Sequence, residues 1–226
     1  MKHGKKYRAS AAKYDLTKKY NVSTACSMVK EMKVAKFDET VEAHVSLRLE
    51  KSATVRDTLV FPHQFKGEKK VLVFCKDDRV KEALDAGAAF AGSDEYIEKV
   101  KGGWLDFDIA VATPDMMKDV GRLGMVLGRR GLMPNPKTGT VTNDIVNAIS
   151  ELKKGRTEYR ADKTGTVHIA VGKVSMDVEK VTENVNMLLS ELSKKAPNGV
   201  AASFINSISV CSTMGPGVWV DMKEGD

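Results

Sequence analysis

From residue 40 to residue 49, Val41, Ala43, Val45, Leu47 and Leu49 alternate with Thr40, Glu42, His44, Ser46 and Arg48. A strict period of two over that length predicts a strand with one face in a core and one polar face. Upstream, Val22, Ala25, Cys26, Val29 and Met32 recur at helical spacing behind Ser23 and Thr24, which stand as N-cap candidates. A short amphipathic helix is predicted there, and its apolar stripe needs a sheet to cover. A second, shorter strand is predicted over residues 59–61.

From Val71 the pattern changes. The runs Val71-Leu72-Val73-Phe74-Cys75 and Ile109-Ala110-Val111-Ala112 are apolar without interruption, which suits strands covered on both faces, as in a parallel sheet. Helical spacings alternate with them: Val80, Ala83, Leu84 and Gly87; Tyr96, Ile97 and Val100; Met116, Met117 and Val120; Ile145, Val146, Ile149 and Leu152. Strand-helix alternation predicts an α/β unit. After Gly155 the period of two returns, with Val167, Ile169 and Val171 opposed to Thr166, His168, Ala170 and Gly172. Val178, Val181, Val185, Leu188, Leu189 and Leu192 then follow helical spacing, with Ser175 or Asp177 as cap and Pro197 and Gly199 beyond the end. A last strand is predicted over residues 204–211, followed by a turn over residues 212–217.

The order of strand styles, half-buried, fully buried, half-buried, is most simply met if one domain is made from both chain ends and another is inserted into it. The crossings are expected near residues 65–68 and near Gly155, where glycine backbone permits hinge motion.

Composition narrows the picture. The chain has 226 residues, 42% of them hydrophobic and 29% charged, the balance of a globular protein rather than a disordered one. The uncharged run over residues 196–220 contains Pro197, Gly199, Asn206, Pro216 and Gly217, so it reads as turn, strand and turn rather than as a membrane span. No apolar stretch follows the basic N-terminus, so no secretory signal and a cytoplasmic address are expected. The net charge of +6 is uneven, because residues 1–36 carry ten Lys or Arg against Asp15 and Glu31. A local excess of that size suits a polyanion, although basic tails are also merely solvated. A second basic stretch, residues 122–137 with Arg129 and Arg130, lies among glycines and prolines and is expected to be a loop.

Candidate chemistry is sparse. Cys26, Cys75 and Cys211 are odd in number and widely separated, and the four histidines lack metal-ligand spacing, so reduced packing cysteines and no metal or cofactor are expected. Gly121-Arg-Leu-Gly124-Met-Val-Leu-Gly128 is not a dinucleotide fingerprint, and no phosphate loop or nucleophile elbow is present. Paired acids such as Asp106 with Asp108, or Asp77 with Asp78, read as turn residues and solvated faces.

One stretch is far more specific: Gly128-Arg129-Arg130-Gly131-Leu132-Met133-Pro134-Asn135-Pro136-Lys137-Thr138-Gly139-Thr140-Val141. It resembles the signature loop of the ribosomal protein L-one family. The resemblance continues through Lys36-Phe37-Asp38-Glu39-Thr40-Val41-Glu42, Gly103-Trp104, Val111-Ala112-Thr113-Pro114-Asp115, Asp162-Lys163-Thr164-Gly165, Val171-Gly172-Lys173 and Thr213-Met214-Gly215-Pro216. It implies an α+β first domain with a half-buried antiparallel sheet, built from both termini (residues 1–66 and 156–226), plus an inserted three-layer α/β, Rossmann-like domain (residues 67–155). Arg129 stands where the family usually has proline, which frees a φ and adds a charge. The loop after Glu50 is shorter than the family's, and Gln64-Phe65-Lys66 replaces a glycine-rich turn.

The resemblance further implies a structural constituent of the large ribosomal subunit and not an enzyme. Such a protein binds large-subunit rRNA at the mobile side stalk, assists release of deacylated tRNA from the exit site, represses its own operon mRNA, and is a monomer when free of the ribosome. The RNA-binding role transfers to Lys36, Phe37, Thr40, Glu42, His168, Lys173, Ser207, Thr213, Met214 and Gly215. Arg129, Arg130 and Lys137 are expected at a secondary RNA contact or the hinge. Simpler readings stand beside these: core packing for Phe37, a solvated sheet face for Glu42 and His168, an ordinary surface turn for residues 213–216. The rival for the whole chain is an α/β enzyme or small-molecule binder with its pocket near Cys75 and Thr113.

Overall fold

The computed structural model describes residues 3–49, 55–65, 67, 69–196 and 204–221. The chain separates into two compact units, Met1–Phe65 with Tyr159–Asp226, and Lys66–Glu158. The return crossing lies past Gly155. Arg156 still belongs to the second unit, its carbonyl accepting from Lys69 Nζ at 3.1 Å.

In the first unit, the elements are α1 (Lys5–Ala11), β1 (Lys19–Tyr20), α2 (Val22–Glu31), β2 (Thr40–Leu47) and β3 (Arg56–Leu59). The predicted alternation in β2 is realised residue by residue: Val41, Ala43, Val45 and Leu47 are buried, and their even-numbered neighbours are not. β7 (Thr157–Arg160) spans the return crossing, and β8 (Thr166–Lys173), α8 (Val178–Lys194), β9 (Ile205–Ser212) and β10 (Val218–Val220) follow it. Five strands form one sheet in the order β1-β10-β9-β2-β8. The expected antiparallel pattern holds except at the edge, where β1 runs parallel to β10. The apolar face of the sheet is covered by α2 and α8, whose Met28, Val29, Val185, Leu188 and Leu192 share its core. Each such side chain contributes ~1.5–3 kcal/mol of burial before entropy is subtracted. The opposite face is mostly polar.

Several local expectations are corrected. The N-cap of α2 is Asn21, which accepts from the Ser23 amide, rather than Ser23 or Thr24. The strand placed over residues 59–61 is β3, ending at Leu59, with Phe61 buried beyond it. The final strand includes Ser212, and the turn after it feeds a further strand, β10. Pro197 and Gly199, expected to follow α8, lie outside the described residues.

In the second unit, β4 (Val71–Phe74), β5 (Phe90–Gly92) and β6 (Ile109–Ala112) form a parallel sheet in the order β5-β4-β6. The uninterrupted apolar runs are explained by its two covers. Val71, Val73 and Val111 face α3 (Val80–Asp85) and α7 (Ile145–Lys153), while Leu72, Phe74 and Ala110 face α4 (Asp94–Lys101), α5 (Met117–Val120) and α6 (Gly124–Arg130). Leu84 and Val146, counted in the stripes, are exposed. The basic stretch expected as a loop is helical through Arg130, because Leu123 and Leu127, one turn apart, are drawn into the core. The helix stops at Gly131, whose φ of +70° suits glycine. No described helix is long and apolar enough to cross a membrane. Cys26 and Cys75 are buried free thiols, and burial pushes Cys26 up to about 11.

Candidate nucleic-acid interface

At one end of the sheet's polar face the chain brings together Thr40, Lys173, Thr213, Met214 and Gly215. Thr40 opens β2 and Lys173 closes β8, directly opposite each other. Lys173 Nζ donates to Thr40 Oγ1 at 2.8 Å, which leaves further N–H donors on the ammonium for a partner. Thr213 follows β9. Its amide donates to the Thr40 carbonyl at 3.0 Å, and its hydroxyl accepts from the Thr40 amide at 3.0 Å. Thr213 is therefore a tie between turn and strand, while Met214, next to it, is 56% exposed.

The residue that organises this end is Glu39, fully buried (0% exposed). One carboxylate oxygen accepts from the amides of Val34 at 2.9 Å and Ala35 at 2.6 Å. The other accepts from Ser212 Oγ at 2.6 Å and the Met214 amide at 3.1 Å. A single charge thus holds two loops, the one that carries Lys36 and Phe37 and the one that carries Met214. Burial pushes this carboxyl up, but Ser212 and the three amides outweigh it and hold it below the ordinary value. Asp38 adds a third tie, accepting from the amide and hydroxyl of Ser175 at 3.0 and 2.8 Å. Neither motif nor resemblance assigns Glu39 a role, yet the sequence carries a signal for it: it has the parity of Val41 and Val45, so a strand in register sends it inward.

Phe37 is 55% exposed, so core packing is not its role. Lys36 is exposed beside it. An aromatic and a thioether presented to water on fixed loops, with ammonium groups adjacent, can stack on bases while neutralising phosphates.

Farther along the same face stand Glu42, His168 and Ser207. Glu42 lies between Ala170 and Cys211, His168 opposite His44, and Ser207 opposite Ser46. Ser207 is six positions along β2 from Thr40, about 20 Å at strand rise, so it shares the face but not the cluster. His44 Nδ1 and His168 Nδ1 are 2.8 Å apart, and His44 Nε2 lies 3.2 Å from Cys211 Sγ. Burial, then the neighbouring His168, lowers the pKa of His44 against an opposing pull from Glu42. Asp162, 3.6 Å from His168 Nε2, is held at about 2, chiefly by the hydroxyl of Thr164.

Arg129, Arg130 and Lys137 belong to the second unit and are exposed, the two arginines in the last turn of α6 and Lys137 in a 3₁₀ turn capped by Asn135.

Gly215 has a steric reason to be glycine. A Cβ there would lie 2.5 Å from Ser212 Oγ, an atom that cannot swing away without releasing Glu39. Gly215→Ala is expected to cost ~1–3 kcal/mol, the range for overpacking, and to weaken any ligand that touches Met214. Urea unfolding reads the first effect, and a binding titration the second.

An open-faced sheet made from both ends of the chain, with a parallel α/β insertion, is the class of protein these observations define. Residues 29–216 match the ribosomal protein L1p/L10e family, and the chain belongs to it. It is 71% identical over 226 residues, all of both chains, to the large ribosomal subunit protein uL1 of Treponema denticola. It is 64% identical over 223 residues, 99% of both chains, to that of Treponema pallidum. To that of Borrelia hermsii it is 54% identical over 220 residues, 97% of this chain and 98% of the relative. Membership makes it a ribosomal protein and not an enzyme. Cys75 and Thr113, around which the rival reading put a pocket, have little to offer a ligand: both are buried, and their amides already donate to the carbonyls of Gly92 and Phe74.

Proposed function

We propose that the chain is a structural constituent of the large ribosomal subunit, acting in the cytoplasm, and that its first unit holds the side-stalk rRNA. The observation that carries this reading is the pairing of exposed Phe37 and Met214 on two loops locked by buried Glu39, beside Lys36 and Lys173. Rigid apolar groups next to cations bind at low entropic cost. The order of contacts is physical: Lys36 and Lys173 meet phosphates, Phe37 and Met214 pack on bases or sugars, and Gly215 lets backbone approach closely. Glu42, which repels phosphate, accepts from a ribose hydroxyl or a base amine. His168 and Ser207 extend the contact along the face, with Thr40 and Thr213 fixing its geometry.

On the same reading, Arg129, Arg130 and Lys137 give the inserted unit a secondary RNA contact or a role at the hinge. Assistance to deacylated tRNA leaving the exit site, and repression of the chain's own operon mRNA, follow if tRNA meets the bound stalk and if a messenger copies its folded shape. Free of the ribosome the chain is a monomer.

The test is a filter-binding series with a side-stalk rRNA fragment. With five phosphate contacts, affinity is expected to fall roughly 10³–10⁴-fold over a tenfold rise in salt. A flat salt response, or equal affinity for an unrelated hairpin, would refute the assignment.

A further inference from the structure

The register places five residues from five strands abreast on the open face of the sheet. Lys19 pairs with Trp219, Trp219 with Ser209, Ser209 with His44, and His44 with His168. Directly paired residues share a face, and burial agrees: Val218 and Val220 are buried on either side of Trp219, which is 43% exposed. A large indole thus stands partly in water on a face whose other residues are mostly small or polar.

Its surroundings are selective. Trp219 and His44 are two strand spacings apart, about 9–10 Å, and the floor between them is the small Ser209. Ser209 is too short to fill the space above it, which leaves room for a flat partner beside the indole. Burial and the neighbouring His168 lower the pKa of His44, and its ring is a second flat group on this row. Lys19 supplies a cation on the other side of the indole, in a segment whose first 36 residues carry a strong positive excess. Glu42 stands in the adjoining row and Asp162 beyond His168, and at the Lys19 edge Asp221, two residues past Trp219, donates its amide to the Tyr20 carbonyl at 2.8 Å.

An apolar plane beside a cation and hydroxyls is complementary to a nucleobase on its phosphodiester chain. We propose that Trp219 stacks on one unpaired base of the bound RNA over Ser209, with Lys19 at the flanking phosphate. This rests on the RNA reading of the same face and adds a contact to it. Trp219 lies four positions along the strands from the Thr213 end, about 13 Å, so the RNA crosses the sheet rather than ending at the Met214 turn.

The chain has two tryptophans. The other, Trp104, sits in an aromatic cluster with Phe90, Tyr96 and Phe107 in the inserted unit, so in a Trp104→Phe background all indole emission reports Trp219. Titration with the side-stalk rRNA fragment is expected to quench that emission at the concentration where binding occurs. With Trp104 intact, Trp219→Ala should weaken affinity about 5- to 150-fold, the value of one base–aromatic stack, and Trp219→Phe should retain most of it. If Trp219→Ala binds like the parent and emission is unquenched while Met214→Asp loses affinity, the stacking contact is refuted and the RNA reading stands. Equal losses in Trp219→Ala and Trp219→Phe without quenching would refute it too, as a packing effect. If the parent chain itself binds no RNA, the RNA reading fails and takes this contact with it.

Discussion

Replacing Glu39 with alanine is expected to lower stability by about 3–5 kcal/mol, because four donors, one of them the buried Ser212 hydroxyl, lose a charged acceptor at once. The effect should exceed that of deleting any one of the surface ion pairs, such as Lys70 with Asp106, which are screened by water. RNA affinity should fall further than stability requires, since the loops bearing Phe37 and Met214 are both released. Glu39→Gln separates shape from charge: one amide oxygen can still accept, but the NH₂ group must oppose either the Val34 and Ala35 amides or the Met214 amide.

The acid limb supplies a sign. The native carboxyl lies below its ordinary value of 4.5, so the unfolded chain takes up its proton first as pH falls. Its contribution is complete above about pH 4.5 and is lost as pH drops through the native pKa. Urea midpoints between neutral and acid pH should therefore slope less in Glu39→Gln than in the parent chain. Identical slopes would show that the carboxylate is not the tie described.

Met214→Asp should act on binding alone. The side chain is more than half exposed, and the only bond the residue gives to Glu39 comes from its backbone amide, so thermal unfolding should barely move. Affinity for the stalk fragment should fall about 30-fold or more, the scale of a binding hot spot losing at least ~2 kcal/mol, with added repulsion of phosphate that weakens in high salt. Arg129→Ala and Lys137→Ala, in the inserted unit, should change it far less. A Met214→Asp chain that binds as tightly as the parent would move the interface elsewhere on the molecule.

How much of the fold is legible in the sequence depends on the length of each element. Strand β2 and helix α8 can be read because eight and seventeen residues give a period room to repeat. Strands β1, β5 and β10 have two or three residues and no period at all; only pairing with neighbours distant in sequence makes them strands. The helix α6 is hidden by its glycines, whose permissive backbone is overridden once Leu123 and Leu127 find the core. At the interface, the exposed residues Met214 and Phe37 come from family resemblance, whereas Glu39 and Trp219 do not. A charged side chain on the inward parity of a strand is a warning that can be read from sequence, but its four partners cannot. Trp219 needs the register of β10 against β9, which no local pattern encodes.

The position of β2 between β9 and β8 also sets a timetable for synthesis. Its neighbours β8 and β9 come from the far end of the chain; Thr40 and Lys173, which touch, are 133 residues apart, and β1 must wait longer still for β10. The insertion, whose strands and helices meet within one stretch of polypeptide, can assemble while translation continues. The polar sheet cannot, so a nascent chain carries β2 unpaired until elongation is nearly over. Interrupted products should therefore contain a folded insertion and no completed polar sheet.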